Sequence, residues 1–438
     1  MRATEHWPVV VIGGGQAGLA MSHELKERAV SHVIFEKNRI AHSWRTQRWD
    51  AFCLVTPNWQ CRLPGHHYPG KEPHGFMPKD EIVSYIEDYA KKIDAPVREG
   101  VAVKKLSRNG SGYRVETQEG TVTADQVVLA VSAYHKPKIP ALANDLSASI
   151  KQIHSSEYRN PGQLPEGAVM VVGSGQSGCQ IAEDLHLAGR KVHLVVGSAP
   201  RCPRVYRGRD AVDWLDDLGQ YDLPVDKHPL KDGVRGKANH YLTGRDGGRD
   251  IDLRRFALEG MILHGRLLGL EDGRLVFGDD LTKNLDAADA VYNGICTMID
   301  KHIESQGIEA PGQAHYRPVW QPEIGAESFD SVQAGITSIV WATGFTSDWS
   351  WVDLPVFENN YPKHERGITP EPGLYVVGLP WLYTWGSGRF VGVGRDAAYI
   401  ADHVADVSRE KTAVPVASRK ETRPWHGLDG YNLASAVA

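Results

Sequence analysis

What this chain lacks narrows it first. No apolar run approaches the roughly 20 residues that cross a bilayer, and Met1 to Pro8 carries acidic and polar residues ahead of a strand. A cytoplasmic protein with no membrane partner is expected. Long basic runs are missing too: acids and bases intersperse, and the formal net charge is -5, which leaves no electrostatic footprint for nucleic acid. Cysteine is scarce and odd in number. Cys53, Cys61, Cys179, Cys202 and Cys296 are widely spaced and match neither a disulfide framework nor a zinc pattern, so no metal is expected. Cys53 and Cys61 are separated by seven residues, and no Cys-x-x-Cys or Cys-x4-Cys exists, which argues against a dithiol redox site. A small-molecule substrate is the remaining expectation.

What is present is length and a repeat. A chain of 438 residues suffices for two domains. Val9-Val10-Val11-Ile12-Gly13-Gly14-Gly15-Gln16-Ala17-Gly18 and Val169-Met170-Val171-Val172-Gly173-Ser174-Gly175-Gln176-Ser177-Gly178 align without a gap at an offset of 160 residues. Each copy is a strand-length apolar run, a glycine turn and residues with helical spacing. Each then continues into a second apolar run, Val33-Ile34-Phe35 or Val192 to Val196. These are βαβ units, and the predicted fold class is α/β with two Rossmann-like dinucleotide-binding domains. The simplest organisation has a first domain at 1–150, interrupted by a second at 151–334 that contains a polar segment. The first domain then returns at 335–410, where Ile336 to Trp341 leads into Ala342-Thr343-Gly344-Phe345, and a tail follows at 411–438.

Glycine is needed at the three motif positions for a tight turn, for backbone approach to a pyrophosphate, and for packing of helix on strand. The helix N-terminus then faces the phosphates. Gly13, Gly15, Gln16, Ala17 and Gly18 would hold one dinucleotide, and Gly173, Gly175, Gln176 and Ser177 the other. Glu36, 23 residues after Gly13 and followed by Lys37, suits the ribose hydroxyls of FAD. The second copy has no acid at that point. Ser198, Arg201 and Arg204 follow its strand, and an arginine there suits the 2′-phosphate of NADPH. Trp44, Arg45 and Trp49 are candidates to cover a flavin, and Trp381, Tyr383, Trp385 and Arg389 form an aromatic stretch suited to a flat or apolar substrate.

With these features the sequence resembles the class B flavin-dependent monooxygenases. The resemblance covers most of the chain. Beside the two glycine motifs and Ala342-Thr343-Gly344-Phe345, it includes Phe76-Met77-Pro78-Lys79-Asp80-Glu81-Ile82, Tyr85 to Ala90, Ser43-Trp44-Arg45 and Leu54-Val55-Thr56-Pro57. His154-Ser155-Ser156-Glu157-Tyr158 keeps the second half of the family fingerprint, whose Phe and Gly are here Ala148 and Ile150. Tyr158 resembles the flavin-containing branch more than the Baeyer-Villiger one. Val55 stands where many flavin-containing relatives carry an active-site Asn, with Asn58 as its substitute, and Ala130-Val131-Ser132 replaces their Ala-Thr-Gly.

The resemblance implies FAD and NADPH as cofactors, with Leu54, Thr56, Thr343 and Gly344 among their contacts. It further implies hydride transfer to the flavin, oxygen addition at its C4a, and N- or S-oxygenation of a small organic substrate with O2. His154, Tyr158, Asn58 and Arg389 are the candidate catalytic residues, His154 as a coupling element between domains. The alternatives are an NAD(P)H oxidase or other FAD-dependent oxidoreductase without oxygen insertion, and a flavin-binding redox sensor or scaffold. A homodimer is the oligomeric alternative to a monomer.

Overall fold

A computed structural model describes residues 5–412 apart from 324 and 326. The expected tail at 411–438 therefore lies outside the described residues from 413 onward.

The first glycine motif follows the strand Glu5–Ile12, whose last four residues are all buried, and opens the helix Gln16–Glu27. His32–Glu36 and Gly120–Leu129 flank that strand in parallel. The sheet has eight strands and runs Val352–Asp353, Val103–Asn109, Gly112–Thr117, Gly120–Leu129, Glu5–Ile12, His32–Glu36 and Val97–Glu99, with Leu374–Val376 also paired to Gly120–Leu129. Both faces are covered, so its central strands are continuous Val, Ile and Leu runs instead of alternating ones. The final helix, Val393–Thr412, packs on Gln16–Glu27.

The second glycine motif repeats this arrangement. Ala168–Val172 runs into the helix Gln176–Leu187 and pairs in parallel with Val192–Val195. The sheet is all parallel, in the order Lys151–His154, Ile336–Trp341, Ala168–Val172, Val192–Val195 and Ile262–His264. Ile336–Trp341, expected to begin the return of the first domain at 335, thus lies inside the second sheet. Five of its six residues are buried, and it hydrogen-bonds on both edges. An apolar strand of that kind belongs in a sheet centre. The chain rejoins the first sheet only at Val352–Asp353 and Leu374–Val376.

The polar segment after Arg204 has its own core. Its main element is a 26-residue helix, Leu281–Gln306, which presents Leu285, Ala288, Tyr292, Ile295, Ile299 and Ile303 at three- and four-residue spacing and ends on Gly307 in the left-handed region. Tyr292, Ile295, Ile299 and Ile303 pack with Tyr206, Trp214 and Tyr221 in a cluster that reaches Val55, Trp385 and Val391, while Leu285 joins the core of the second parallel sheet. The strands Leu267–Glu271, Arg274–Phe277 and Glu327–Phe329 make a small antiparallel sheet, whose Leu275 and Phe277 pack with Met170, Ile339 and Trp341 of the second parallel sheet. No helix among the described residues is long and apolar enough to cross a membrane.

One local strain separates the two units. After the strand Gly120–Leu129, Ser132 is held at φ 63°, while after Ile336–Trp341 the corresponding conformation falls on Gly344 at φ 81°. A side chain in that region costs roughly 1–2 kcal/mol, part of which glycine returns as unfolded-state entropy. Ser132→Gly is therefore expected to stabilise the holoprotein by up to about 1 kcal/mol, read as a higher urea midpoint. A lowered midpoint would mean that the serine hydroxyl stabilises that turn.

Candidate functional site

Each glycine turn is closed on the protein side and open on the other. A Cβ on Gly13, at φ 110°, would sit 2.5 Å from the Ala130 carbonyl oxygen, and one on Gly18 would sit 1.9 Å from that of Gly13. In the second turn Gly173 would meet Ala342 O at 2.7 Å, and Gly178 would meet Gly173 O at 1.8 Å. Gly15 and Gly175 have no atom within 4 Å of such a Cβ. Both following helices lack a side-chain cap and an acid in the first turn. Their N-terminal amides are thus left for an external anion. Ala17 is buried under Gly378, which packs on its Cβ.

Glu36 accepts hydrogen bonds from Gly14 N and Asn38 N, each at 2.8 Å, one on each carboxylate oxygen. Its remaining lone pairs face the turn and suit ribose hydroxyls. Lys37 beside it is exposed.

Between the two turns lies a cavity of about 220 Å³. Gln16 lines it from the first helix, and Gln176, Ser177 and Gln180 from the second. Trp44, Phe52, Leu54 and Phe390 supply apolar walls, and Trp44 stacks on Phe390 at 5.7 Å between ring centroids. Trp44 Nε1 donates to Gln16 Oε1 at 3.4 Å. Gln176 is tied in both directions to Leu242, donating to its carbonyl at 2.5 Å and accepting from its amide at 3.2 Å. Thr56 and Arg389 also line the cavity. Gln60, 2% exposed and beside Tyr221, lines it, as does Gln180, 4% exposed, whose Oε1 has no protein partner. An unmet buried acceptor costs about 1–3 kcal/mol. The site thus fits a flat heteroaromatic ring carrying N–H groups.

Several expected site residues serve elsewhere. Asn58 is 3% exposed and spends its amide on the loop, donating to Glu72 O at 2.9 Å and accepting from Met77 N at 2.7 Å. The amide that reaches the cavity is Gln60, two residues on. His154 is fully buried, with Nε2 at 2.9 Å from Gly344 O and Nδ1 at 2.9 Å from Ser156 Oγ. Burial pushes its pKa down, and it does not line the cavity. It joins the strand Lys151–His154 to the turn at Gly344, while Thr343 donates to Lys138 O. Tyr158 is fully buried and donates to Asp184 at 2.7 Å. Arg45 pairs with Glu87 at 2.6 Å.

The arginines expected at a 2′-phosphate are consumed internally. Arg201, 2% exposed, pairs with Asp289 at 2.9 Å and Asp252 at 3.4 Å and stacks over Tyr292 and Tyr316. Arg204, 1% exposed, pairs with Asp210 at 2.5 Å and donates to Val55 O at 2.7 Å, which fixes the cavity wall at Val55. Ser198 is exposed after Val192–Val195, and Arg266, with a side chain 60% exposed, follows the neighbouring strand Ile262–His264. Arg48, Phe52, Gln60, Gln180 and Phe390 are cavity residues that the sequence reading passed over. Arg48 stands four residues after Trp44, and that spacing was the available signal.

All five cysteines are free and buried. Burial pushes the Cys53 thiol up to about 11 and those of Cys61 and Cys296 up to about 12, so none is a ready nucleophile.

Residues 10–210 match the pyridine nucleotide-disulphide oxidoreductase family. Over 402 residues the chain is 34% identical to the CzcO-like oxidoreductase of Geobacillus kaustophilus (strain HTA426), covering 90% of this chain and 97% of that one. It is 30% identical over 426 residues to the indole-3-pyruvate monooxygenase YUCCA1 of Oryza sativa subsp. japonica, covering 93% and 94% respectively. Its fold is similar to that of a mutant flavin monooxygenase from Stenotrophomonas maltophilia, with a TM-score of 0.62 at 18% identity over 92% of this chain and 99% of that one. Cyclohexanone monooxygenase has a TM-score of 0.55 at 16% identity, over 93% and 89%.

Proposed function

The chain belongs to the class B flavin-dependent monooxygenase family, and we propose that it is an FAD-dependent, NADPH-consuming enzyme that oxygenates a small organic substrate at nitrogen, sulfur or a related centre. The observation that carries this reading is the single cavity bounded at once by Gln16 of the first nucleotide helix and by Gln176 and Ser177 of the second. Two dinucleotides held with their phosphates at those helix starts would supply their redox chemistry to that one space.

When bound, the flavin supplies the redox and oxygen chemistry. The protein's part is to bind, orient and keep water out. Gly13, Gly15, Gly18 and Glu36 hold FAD. Gly173, Gly175 and Ser177 hold the nicotinamide dinucleotide, with Gln176 clasped by Leu242. Ser198 and Arg266, in place of Arg201 and Arg204, meet the 2′-phosphate that distinguishes NADPH. Trp44, Phe52, Leu54 and Phe390 exclude water from the reacting centre, and Gln60 supplies the side-chain amide expected of Asn58. His154 and Tyr158 act as positioning residues where the two units meet. Five buried free thiols fit a reducing, cytoplasmic setting.

Anaerobic mixing of the holoenzyme with NADPH is expected to bleach the flavin absorbance, faster than with NADH. Admission of oxygen with substrate is then expected to give a product heavier by one oxygen atom. Stoichiometric peroxide with no such product across amines, thioethers and ketones would support the oxidase reading, which Val55 favours by withholding an amide at its position. No bleaching would leave a scaffold.

A further inference from the structure

The cavity contains two charged side chains, both arginines, and no acid. Its walls are aromatic and aliphatic groups, small polar residues and amides, with Arg48 over the Trp44 and Phe52 rings and Arg389 next to Phe390, which stacks on Trp44. Elsewhere this chain pairs its buried guanidiniums with carboxylates: Arg201 with Asp289, Arg204 with Asp210, Arg254 with Asp289 and Asp286. Arg48 and Arg389 have no carboxylate within 4.0 Å among the described residues.

Arg48 is half-buried and spends one N–H on the carbonyl of Gln47 at 2.9 Å. Its guanidinium lies over the rings of Trp44 and Phe52, at 5.1 and 5.4 Å from their centroids. Those rings fix the plane of the fork without neutralising it. Desolvation holds its pKa below the ordinary arginine range, as expected of a charge removed from water without a counter-ion. Arg389 is held similarly, over Trp385 at 4.7 Å, with one bond to Asn239 Oδ1 at 3.0 Å. A fixed, partly desolvated guanidinium with free N–H donors is built for a planar anion, which it binds bidentately.

We propose that Arg48, assisted by Arg389, recognises a carboxylate on the substrate, so that the preferred substrates are organic acids with an apolar or aromatic body. The body would lie against Trp44, Phe52 and Phe390. A nucleotide phosphate is the other anion within chemical reach. The uncapped helices at Gly15 and Gly175 already offer amides to the phosphates, whereas Arg48 stands on the aromatic wall. The inference rests on the reading of this cavity as the place where substrate meets the flavin.

The test is binding to oxidised holoenzyme without NADPH or oxygen, so that its outcome is independent of turnover. Phenylpyruvate and its uncharged counterpart phenylacetone are titrated while the flavin spectrum and fluorescence are followed. Phenylpyruvate is expected to bind at least about tenfold more tightly, as a charge-assisted bidentate pair provides. Arg48→Gln is expected to remove most of that difference by weakening phenylpyruvate alone, and Arg48→Lys to restore part of it. FAD content reports whether each variant has folded.

Equal binding of the two probes by the parent overturns the proposal. So does a difference that survives in the Arg48→Gln/Arg389→Gln double variant. A rise in the NADPH dissociation constant of Arg48→Gln with probe discrimination intact assigns the guanidinium to a nucleotide phosphate, and also overturns it. Failure of the monooxygenase reading is seen separately, as absence of an oxygenated product from acids that bind.

Discussion

Alanine at Gly175 is expected to leave the holoprotein as stable as its parent while raising the KM for NADPH by roughly 10- to 100-fold, which corresponds to the ~1–3 kcal/mol cost of forcing a methyl group into a fitted contact. Gly175 has φ −69° and ψ −176°, a conformation alanine adopts freely, and its Cβ would meet no protein atom within 4 Å. The space it would enter is the one a pyrophosphate needs to approach the uncapped helix Gln176–Leu187. Gly178→Ala supplies the contrast. Its methyl would lie 1.8 Å from Gly173 O and 3.1 Å from Ala342 Cβ, so the turn must separate from the strand end at Ala342. That variant is expected to lose thermal stability as well as NADPH binding. The two are separated by measuring the thermal midpoint by circular dichroism and the flavin reduction rate against NADPH concentration. An unchanged KM in Gly175→Ala would remove the nucleotide from this turn, and equal stability losses in both variants would remove the distinction between the open and closed glycines.

The difference between those glycines was legible in the sequence because it is a local backbone requirement, carried by six residues between a strand and a helix. The α/β class and the pairing of two such units followed from the same local signal. Requirements set by distant partners were not legible. Arg201 and Arg204 stand at the chain position where an arginine meets a phosphate in this fold, yet their carboxylates arrive from Asp210, Asp252 and Asp289, the last of these 88 residues beyond Arg201. Asn58 and Gln60 are a similar case. Both lie in the 3₁₀ turn Asn58–Gln60, where residues two apart point in different directions, so only one amide reaches the cavity. The helix Leu281–Gln306 was passed over although Leu285, Ala288, Tyr292, Ile295, Ile299 and Ile303 carry its period. Asp289, buried on that face for the arginines, interrupts the apolar pattern. Ile336–Trp341 had the right type and the wrong sheet, because an apolar strand does not specify which parallel neighbours it joins.

Arg201→Ala is expected to destabilise the protein by about 3–5 kcal/mol, the range found when one partner of a buried pair is removed and the other charge is left behind, with little change in preference between NADPH and NADH. Three features put the effect on stability. Arg201 is 2% exposed, its guanidinium lies 4.2 Å from the Tyr316 ring centroid and 4.6 Å from that of Tyr292, and it shares Asp289 with Arg254, whose Nε stands 2.8 Å from the second carboxylate oxygen. Through Asp289 these arginines bind the helix Leu281–Gln306 to the second nucleotide unit, and that helix belongs to the cluster that reaches Val55, Trp385 and Val391 near the cavity. Removing Arg201 takes the cation from one carboxylate oxygen of Asp252 and one of Asp289 in a buried setting, while the other Asp252 oxygen keeps its bonds from Arg254 N, Arg255 N and Tyr316. Asp289→Asn should recover part of the loss when combined with Arg201→Ala, since the amide no longer needs a cation, although Arg254 then loses one of its two carboxylates. Urea denaturation of the four proteins of that cycle gives the coupling directly, and measurement with FAD at saturation keeps cofactor loss from imitating it. A variant of unchanged stability whose KM rose for NADPH and not for NADH would return Arg201 to the nucleotide. The expected result instead gives the arginine cluster a mechanical task, docking a polar layer against the sheet so that the cavity wall at Val55, held by Arg204, stays in place.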